Sequence, residues 1–126
     1  MSLLIKNAPA ALEFVIDGGG AEITLGEKGH IRAPFSGTIR SVSLFADQIG
    51  SIEVDIWKTD LAGFPPAVAN SITGGHPPAI TNAQDSEDIV LTGWDKTVNE
   101  GDIFAFNVDS VSTIQRVTIS LKIQRS

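Results

Sequence analysis

Few residues in this sequence could carry acid–base or covalent chemistry. Its 126 residues include two histidines, His30 and His76, and neither cysteine nor tyrosine. A hydrolytic triad needs a nucleophile, a base and an orienting acid, and no Gly-x-Ser-x-Gly turn marks a nucleophile here. His30 falls in a predicted strand, and nothing around it indicates a base with a tuned pKa. We therefore expect a protein that is not an enzyme.

An acidic segment and a glycine run are the other candidates for a ligand site. Asp85, Glu87 and Asp88 place three carboxylates within four residues, and calcium is held by several oxygens of this kind. Their spacing matches no EF-hand, so a solvated acidic surface is the simpler interpretation. Residues 18–20 are all glycine, but the pattern that follows is not that of a phosphate loop, which favours a plain bend. We expect no cofactor and no metal ion.

The two tryptophans allow a different kind of site. Trp57 shares one face of its predicted strand with Glu53 and Asp55, and the apolar residues Ile52, Val54 and Ile56 occupy the other face. This pattern predicts that the ring of Trp57 lies on the outer surface. A large exposed ring there favours a subunit contact or a ligand. Trp94 ends a predicted strand and is expected to cap the edge of the core. Together they could instead form a platform on which a sugar stacks.

The elements that must position these residues are strands, because the recurring hydrophobic period is two. The clearest alternation is in residues 117–124, and residues 12–17 and 52–57 repeat it. Turn residues separate the predicted strands, and a turn is expected at residues 47–50. The other predicted strands are residues 30–35, 38–46, 51–58, 89–94 and 103–109, with a short extended piece near 78–81. About eight short strands predict an all-β fold, a single jelly-roll-like antiparallel β-sandwich.

Length and charge bound the remaining organisation. The expected domains are a short N-terminal arm at residues 1–10 and a β-sandwich at residues 11–126. A net charge of −6 argues against nucleic-acid binding, which needs cationic side chains. No apolar stretch approaches the roughly 20 residues of a membrane helix, so no membrane partner is expected. The connection at residues 59–78, which carries Phe64, is long enough to suggest a contact role.

The sequence resembles a β-sandwich domain that is widespread in the virion proteins of tailed bacteriophages. The resemblance spans roughly residues 12–123. It rests on residues 14–20 and 46–58, on Phe64-Pro65-Pro66 and Ser71-Ile72-Thr73, on Leu91-Thr92-Gly93-Trp94, and on Gly101-Asp102-Ile103 and Phe106-Asn107-Val108-Asp109.

Such domains occur in fibres, tail-associated proteins and capsid surface proteins. A free-standing domain with a short arm and no shaft is similar to a capsid decoration (cement) protein. The resemblance implies a structural protein made in the host cytoplasm and placed on the outer capsid surface as a homotrimer. Its partners would be the major capsid protein and other copies of itself. The expected contact residues are Leu3, Leu4, Ile5, Trp57 and Phe64. The alternative is a receptor- or glycan-binding head domain of a tail fibre or tail-associated protein.

Overall fold

The computed structural model describes residues 8–126, and the regular structure in that range is β-strand apart from one 3-10 turn at Val68–Asn70. All strand pairs are antiparallel. Within the described range, no helix is long and apolar enough to cross a membrane. The strands are β1 (Pro9–Asp17), β2 (Gly26–Arg32), β3 (Gly37–Thr59), β4 (Ala79–Asp88), β5 (Thr97–Val98), β6 (Ile103–Ser112) and β7 (Arg116–Arg125).

The 23-residue strand β3 organises the sheet. β7 pairs with its first part, residues 37–46, and β6 pairs with its last part, residues 51–59, so β6 and β7 together form one long antiparallel partner. β4 pairs with the middle of β3 along the other edge. β1 and β2 extend the sheet beyond β7 and β6 respectively. The result is a single broad ribbon of strands.

This ribbon folds across its middle, so that one half packs on the other. Layer one contains β1, β7, residues 37–46 of β3 and the end of β4; layer two contains β2, β6, residues 51–59 of β3 and the start of β4. The rings of Phe14 on β1 and Phe106 on β6 stack across the layers, with centroids 4.7 Å apart. The fold is therefore the all-β, jelly-roll-like antiparallel sandwich that the sequence predicts.

The core lies between the layers and follows the predicted alternation. On β7, every second residue is fully buried, and on β6 the rings of Phe104 and Phe106 are buried as well. Burial of this kind contributes about 25 cal/mol per Å² of apolar surface. The fully buried residues of β7 are Val117, Ile119, Leu121 and Ile123.

Backbone groups at the fold line lose strand partners, and side chains replace them. The Oδ1 atom of Asp47 accepts the N–H groups of Gln115, at 3.0 Å, and Arg116, at 3.1 Å. Partial burial by itself raises the pKa of Asp47, but these hydrogen bonds outweigh it and hold the pKa below its ordinary value of 3.8. An ionised Asp47 therefore ties β3 to the start of β7 and the connection before it.

Two further bends on the fold line have the same construction. Thr113, with a φ of 78°, donates its N–H to Glu22 Oε2 at 2.7 Å. Asn82, with a φ of 49°, donates its N–H to Ser51 Oγ at 3.0 Å. Positive φ values are unfavourable for residues with a side chain. The paired side chains offset that strain because they satisfy the displaced backbone groups.

Two sequence predictions about local structure are wrong. Residues 47–50 do not form a turn between two strands, because β3 passes through them with only a shift in register. Residues 89–94 do not form a strand. There, Asp88 Oδ1 accepts the N–H groups of Val90 and Leu91, at 2.9 and 3.0 Å, and Leu91 has a φ of 55°. This side-chain capping closes a turn in place of a strand.

Two other expectations concern the ends of predicted elements. The extended piece expected near residues 78–81 is the start of β4, which has ten residues. The first strand begins at Pro9, two residues before the expected domain boundary at residue 11.

The expected arm contacts Leu3, Leu4 and Ile5 lie outside the described residues.

We predict that Asp47 makes folding acid-sensitive. Because its folded pKa is depressed, the charged form stabilises the fold above about pH 4, and that stabilisation is lost as the pH falls through the folded pKa. Asp47→Asn should lower the melting temperature at pH 7 and flatten its decline between pH 4 and 2. Thermal melts followed by circular dichroism measure both effects. Glu53→Gln is the control, and an equally flat profile in that variant would contradict the prediction.

Candidate binding surface

The outer face of layer two carries the two sequence-predicted contact residues that the structure describes. Trp57 on β3 is paired with Ala105 on β6, and Ala105 is paired with His30 on β2. These three residues therefore form one row on the outside of the sandwich, because directly paired residues share a face. Trp57 is half-buried and His30 is exposed. The prediction that Trp57 lies on the outer face is confirmed.

Phe64 reaches the same face from the connection between β3 and β4. Its ring meets His30 edge-on, with centroids 4.8 Å apart and an interplanar angle of 63°. His30 Nε2 also lies 3.3 Å from Glu27 Oε1. Phe64 nonetheless remains 45% exposed. Trp57 and Phe64 are thus brought to one face, separated by the row position of Ala105.

The connection between β3 and β4 is fixed to the sheet along its second half. Ser71 forms a β-bridge with Trp57, and the N–H of Ile72 donates to Ile56 O at 2.9 Å. Ile72 O in turn accepts the N–H of Asp95 at 2.8 Å. Ile72 is also buried. Residues 60–70 are therefore held at their far end by strand-like pairing.

The buried carboxylate of Asp55 anchors this arrangement. Its Oδ1 accepts hydrogen bonds from the hydroxyls of Ser71, at 2.8 Å, and Thr73, at 2.7 Å. The same oxygen accepts the N–H of Ile56 at 2.9 Å, and Oδ2 accepts the indole N–H of Trp57 at 3.0 Å. Each bond to a charged acceptor is stronger than a neutral one. Asp55 therefore both orients the Trp57 ring and holds the connection between β3 and β4 against β3.

Three large apolar side chains in the first half of the connection face solvent. Leu61 is 62% exposed, Phe64 is 45% exposed and Val68 is 70% exposed. They fall within eight residues, on backbone closed by a turn in which Asp60 Oδ1 accepts the N–H of Gly63 at 2.9 Å. We call Leu61, Phe64 and Val68 the loop patch. Several exposed apolar side chains in one short segment indicate a site of contact with other molecules.

Sequence reasoning did not find Asp55, Leu61 or Val68. The spacing Asp55-x-Trp57 was a usable indication, since residues two apart on a strand share a face. The sequence could not predict the hydrogen-bond partners Ser71 and Thr73, because they lie more than fifteen positions from Asp55 in an irregular segment.

Trp94 belongs to the core and not to the outer face. Trp94 is 7% exposed and its indole N–H donates to His76 O at 3.0 Å. It caps the core edge as expected, and its buried ring cannot join Trp57 in a sugar platform. Among residues 8–126, no group of three or more His, Cys, Asp or Glu side chains is placed to hold a metal ion.

The comparisons with known proteins concern architecture. No family model matches the sequence, and no curated protein matches it. The SPBc2 prophage-derived protein YomS is similar in structure, with 13% identity and a TM-score of 0.38 over 97% of this chain and 98% of that one. A CBM4 structure has 14% identity and a TM-score of 0.37 over 92% and 81% of the two chains.

A structure of infectious bursal disease virus, Gx strain, is similar over 96% of this chain and 37% of that one, with 11% identity and a TM-score of 0.33. At these identities and TM-scores the similarities carry no conclusion about fold or function. The class that the fold and the surface define is an all-β sandwich domain with an apolar patch on an anchored outer loop.

We predict that Asp55 holds the loop patch in place. Asp55→Ala leaves two hydroxyls and an indole N–H without their acceptor, and should lower the free energy of unfolding by roughly 2–4 kcal/mol. Urea denaturation followed by circular dichroism measures the loss, and Trp57 fluorescence should shift to the red as the ring is released.

Asp60→Ala is the matched control, because it removes a carboxylate of the same connection that accepts one N–H. It should cost no more than about 1 kcal/mol. Equal losses in the two variants would contradict the anchoring role of Asp55.

Proposed function

We propose that this chain is a non-catalytic structural protein of a bacteriophage virion, which decorates the outer capsid surface as a trimer and reinforces it. The loop patch carries the proposal. It presents Leu61, Phe64 and Val68 to solvent on a segment whose far end is pinned by Asp55. A surface that is ordered before binding loses little entropy on docking. That suits a protein whose task is attachment.

The size of the patch favours repeated attachment over one strong contact. A stable single interface buries about 800 Å² on each partner, and three side chains provide only the centre of such an area. A trimer on a symmetric shell engages three patches together, and the effective concentration of the second and third contacts makes the assembly tight. The resemblance to decoration proteins in the sequence supports the same arrangement.

The chemistry of the described residues supports a structural role. The imidazole of His30 lies against Glu27 and Phe64. The net charge of −6 suits a protein on the outside of the shell, away from the packaged DNA.

We predict that the loop patch determines capsid occupancy. Phe64→Ser and Leu61→Ser should each lower the affinity for assembled capsids of the same phage by about tenfold or more, because truncation of a central apolar contact costs 1–2 kcal/mol or more. Co-sedimentation of the purified protein with undecorated capsids measures occupancy. Cryo-electron microscopy of the decorated particles locates the contact.

Leu25→Ser is the control, since Leu25 is 62% exposed outside the loop patch. It should leave occupancy unchanged. Undiminished occupancy in both loop-patch variants would overturn the assignment of the patch. Failure of the unaltered protein to bind capsids, together with glycan-array binding lost in Trp57→Ala, would favour a receptor-binding head domain.

A further inference from the structure

The outer face of layer one is a second open surface, on the opposite side of the sandwich from Trp57. Strand register places its side chains in rows that cross β1, β7, β3 and β4. The centre of the face consists of two such rows. One row is Val15, Thr118, Phe45 and Asp85, and the next is Glu13, Ser120, Ser43 and Glu87.

These two rows combine apolar, acidic and small hydroxyl side chains. Val15 is 53% exposed and Phe45 is 54% exposed, with the smaller Thr118 between them. Beside Phe45 is a shallow depression of about 270 Å³, lined by Ser43, Phe45, Asp85, Ser86 and Glu87. That is less than the roughly 300–1,000 Å³ of pockets for small-molecule ligands. The face is therefore suited to an extended segment with a few protruding side chains.

The electrostatics of this face specify the sign of its partner. The two central rows contain three carboxylates, those of Glu13, Asp85 and Glu87, and no cationic residue. The cations nearest to them in register, Lys122 and Arg116, belong to the flanking rows. An extended partner with apolar residues and one cation would match this pattern, because opposite charges at an interface fix both register and partner.

We propose that the face binds residues 3–6 of a second copy of this chain. The inference rests on the proposed function, since it supplies the contact that joins the protomers. The segment Leu3-Leu4-Ile5-Lys6 has the required composition. Leu3, Leu4 and Ile5 supply apolar side chains for Val15 and Phe45, and Lys6 supplies a cation for the carboxylates of Asp85 and Glu87.

Distance excludes the same chain as the source of the segment. Val15 is seven residues from Ala8 along β1, a distance of about 23 Å. Phe45 lies two strands across the sheet from Val15, a distance of about 10 Å. The straight-line separation is then about 25 Å. Leu3 is five residues from Ala8 and reaches at most about 18 Å, and Ile5 about 11 Å. The segment on the face therefore belongs to a neighbouring copy.

This contact joins two different surfaces, the arm of one copy and the layer-one face of the next. A heterologous contact of this kind closes into a ring when the rotation between copies permits. A ring of three is the trimer of the proposed function. It leaves the loop patch on layer two free for the capsid.

The experiment is a charge swap in the full-length protein, with self-association measured by sedimentation velocity across a range of concentrations. Lys6→Glu and Glu87→Lys should each weaken association by about tenfold, because each places like charges together. The double variant Lys6→Glu with Glu87→Lys should recover most of the loss. Phe45→Ser should weaken association to a similar degree.

Two controls separate the contact from general changes in charge or hydrophobicity. Lys28→Glu makes the same charge change on β2, and Leu25→Ser removes an exposed apolar side chain away from the face. Both should associate like the unaltered protein. Thermal melts confirm that each surface variant is folded.

Recovery in the charge-swapped double variant supports the proposal. Association that is insensitive to Lys6→Glu, or a protein that is monomeric at all concentrations, overturns it. In the second case, a loss of capsid occupancy on Lys6→Glu would assign the arm to the capsid. Capsid occupancy that depends on Phe64 tests the proposed function separately, so either idea can fail while the other stands.

Discussion

A β-ribbon that folds back on itself must interrupt its own hydrogen bonding, and the remainder of this structure depends on how that interruption is repaired. Backbone groups that lose their strand partners must bond to side chains or to water. At the fold line, the carboxylate of Asp47 accepts two backbone N–H groups and that of Glu22 accepts one. The hydroxyl of Ser51 accepts the N–H of Asn82 at a further bend. Because these side chains replace the lost strand partners, β1–β7 can close into two layers around one core.

Folding the ribbon also creates two outer faces that point away from each other. Layer two carries the loop patch, whose supporting segment is tied to Asp55. Layer one carries Phe45 among small hydroxyls and carboxylates. A protein with two independent faces can contact its own kind on one side and a larger surface on the other. The proposed decoration of a capsid needs both kinds of contact, and the two faces keep them apart.

Local sequence patterns predicted the parts of the fold in which one face of a strand is buried. Residues 117–124 alternate apolar and polar types, and β7 buries every second side chain as a result. The same rule placed Trp57 on the outer face. The patterns failed at residues 47–50 and 89–94. Residues 47–50 remain in strand β3 because the residues that flank them pair with β4 and β7. In residues 89–94, Asp88 caps a turn within an apolar run.

The sequence by itself determined the class of fold, the outward position of Trp57 and the scarcity of catalytic groups, because these follow from residue type and from spacing over a few positions. Only the tertiary structure decided which distant residues meet. Asp55 joins Ser71 and Thr73 across an irregular connection, and Phe45 lies beside Asp85 because β4 pairs back onto β3. Contacts of this kind depend on strand register and chain reversal, which no short-range pattern encodes.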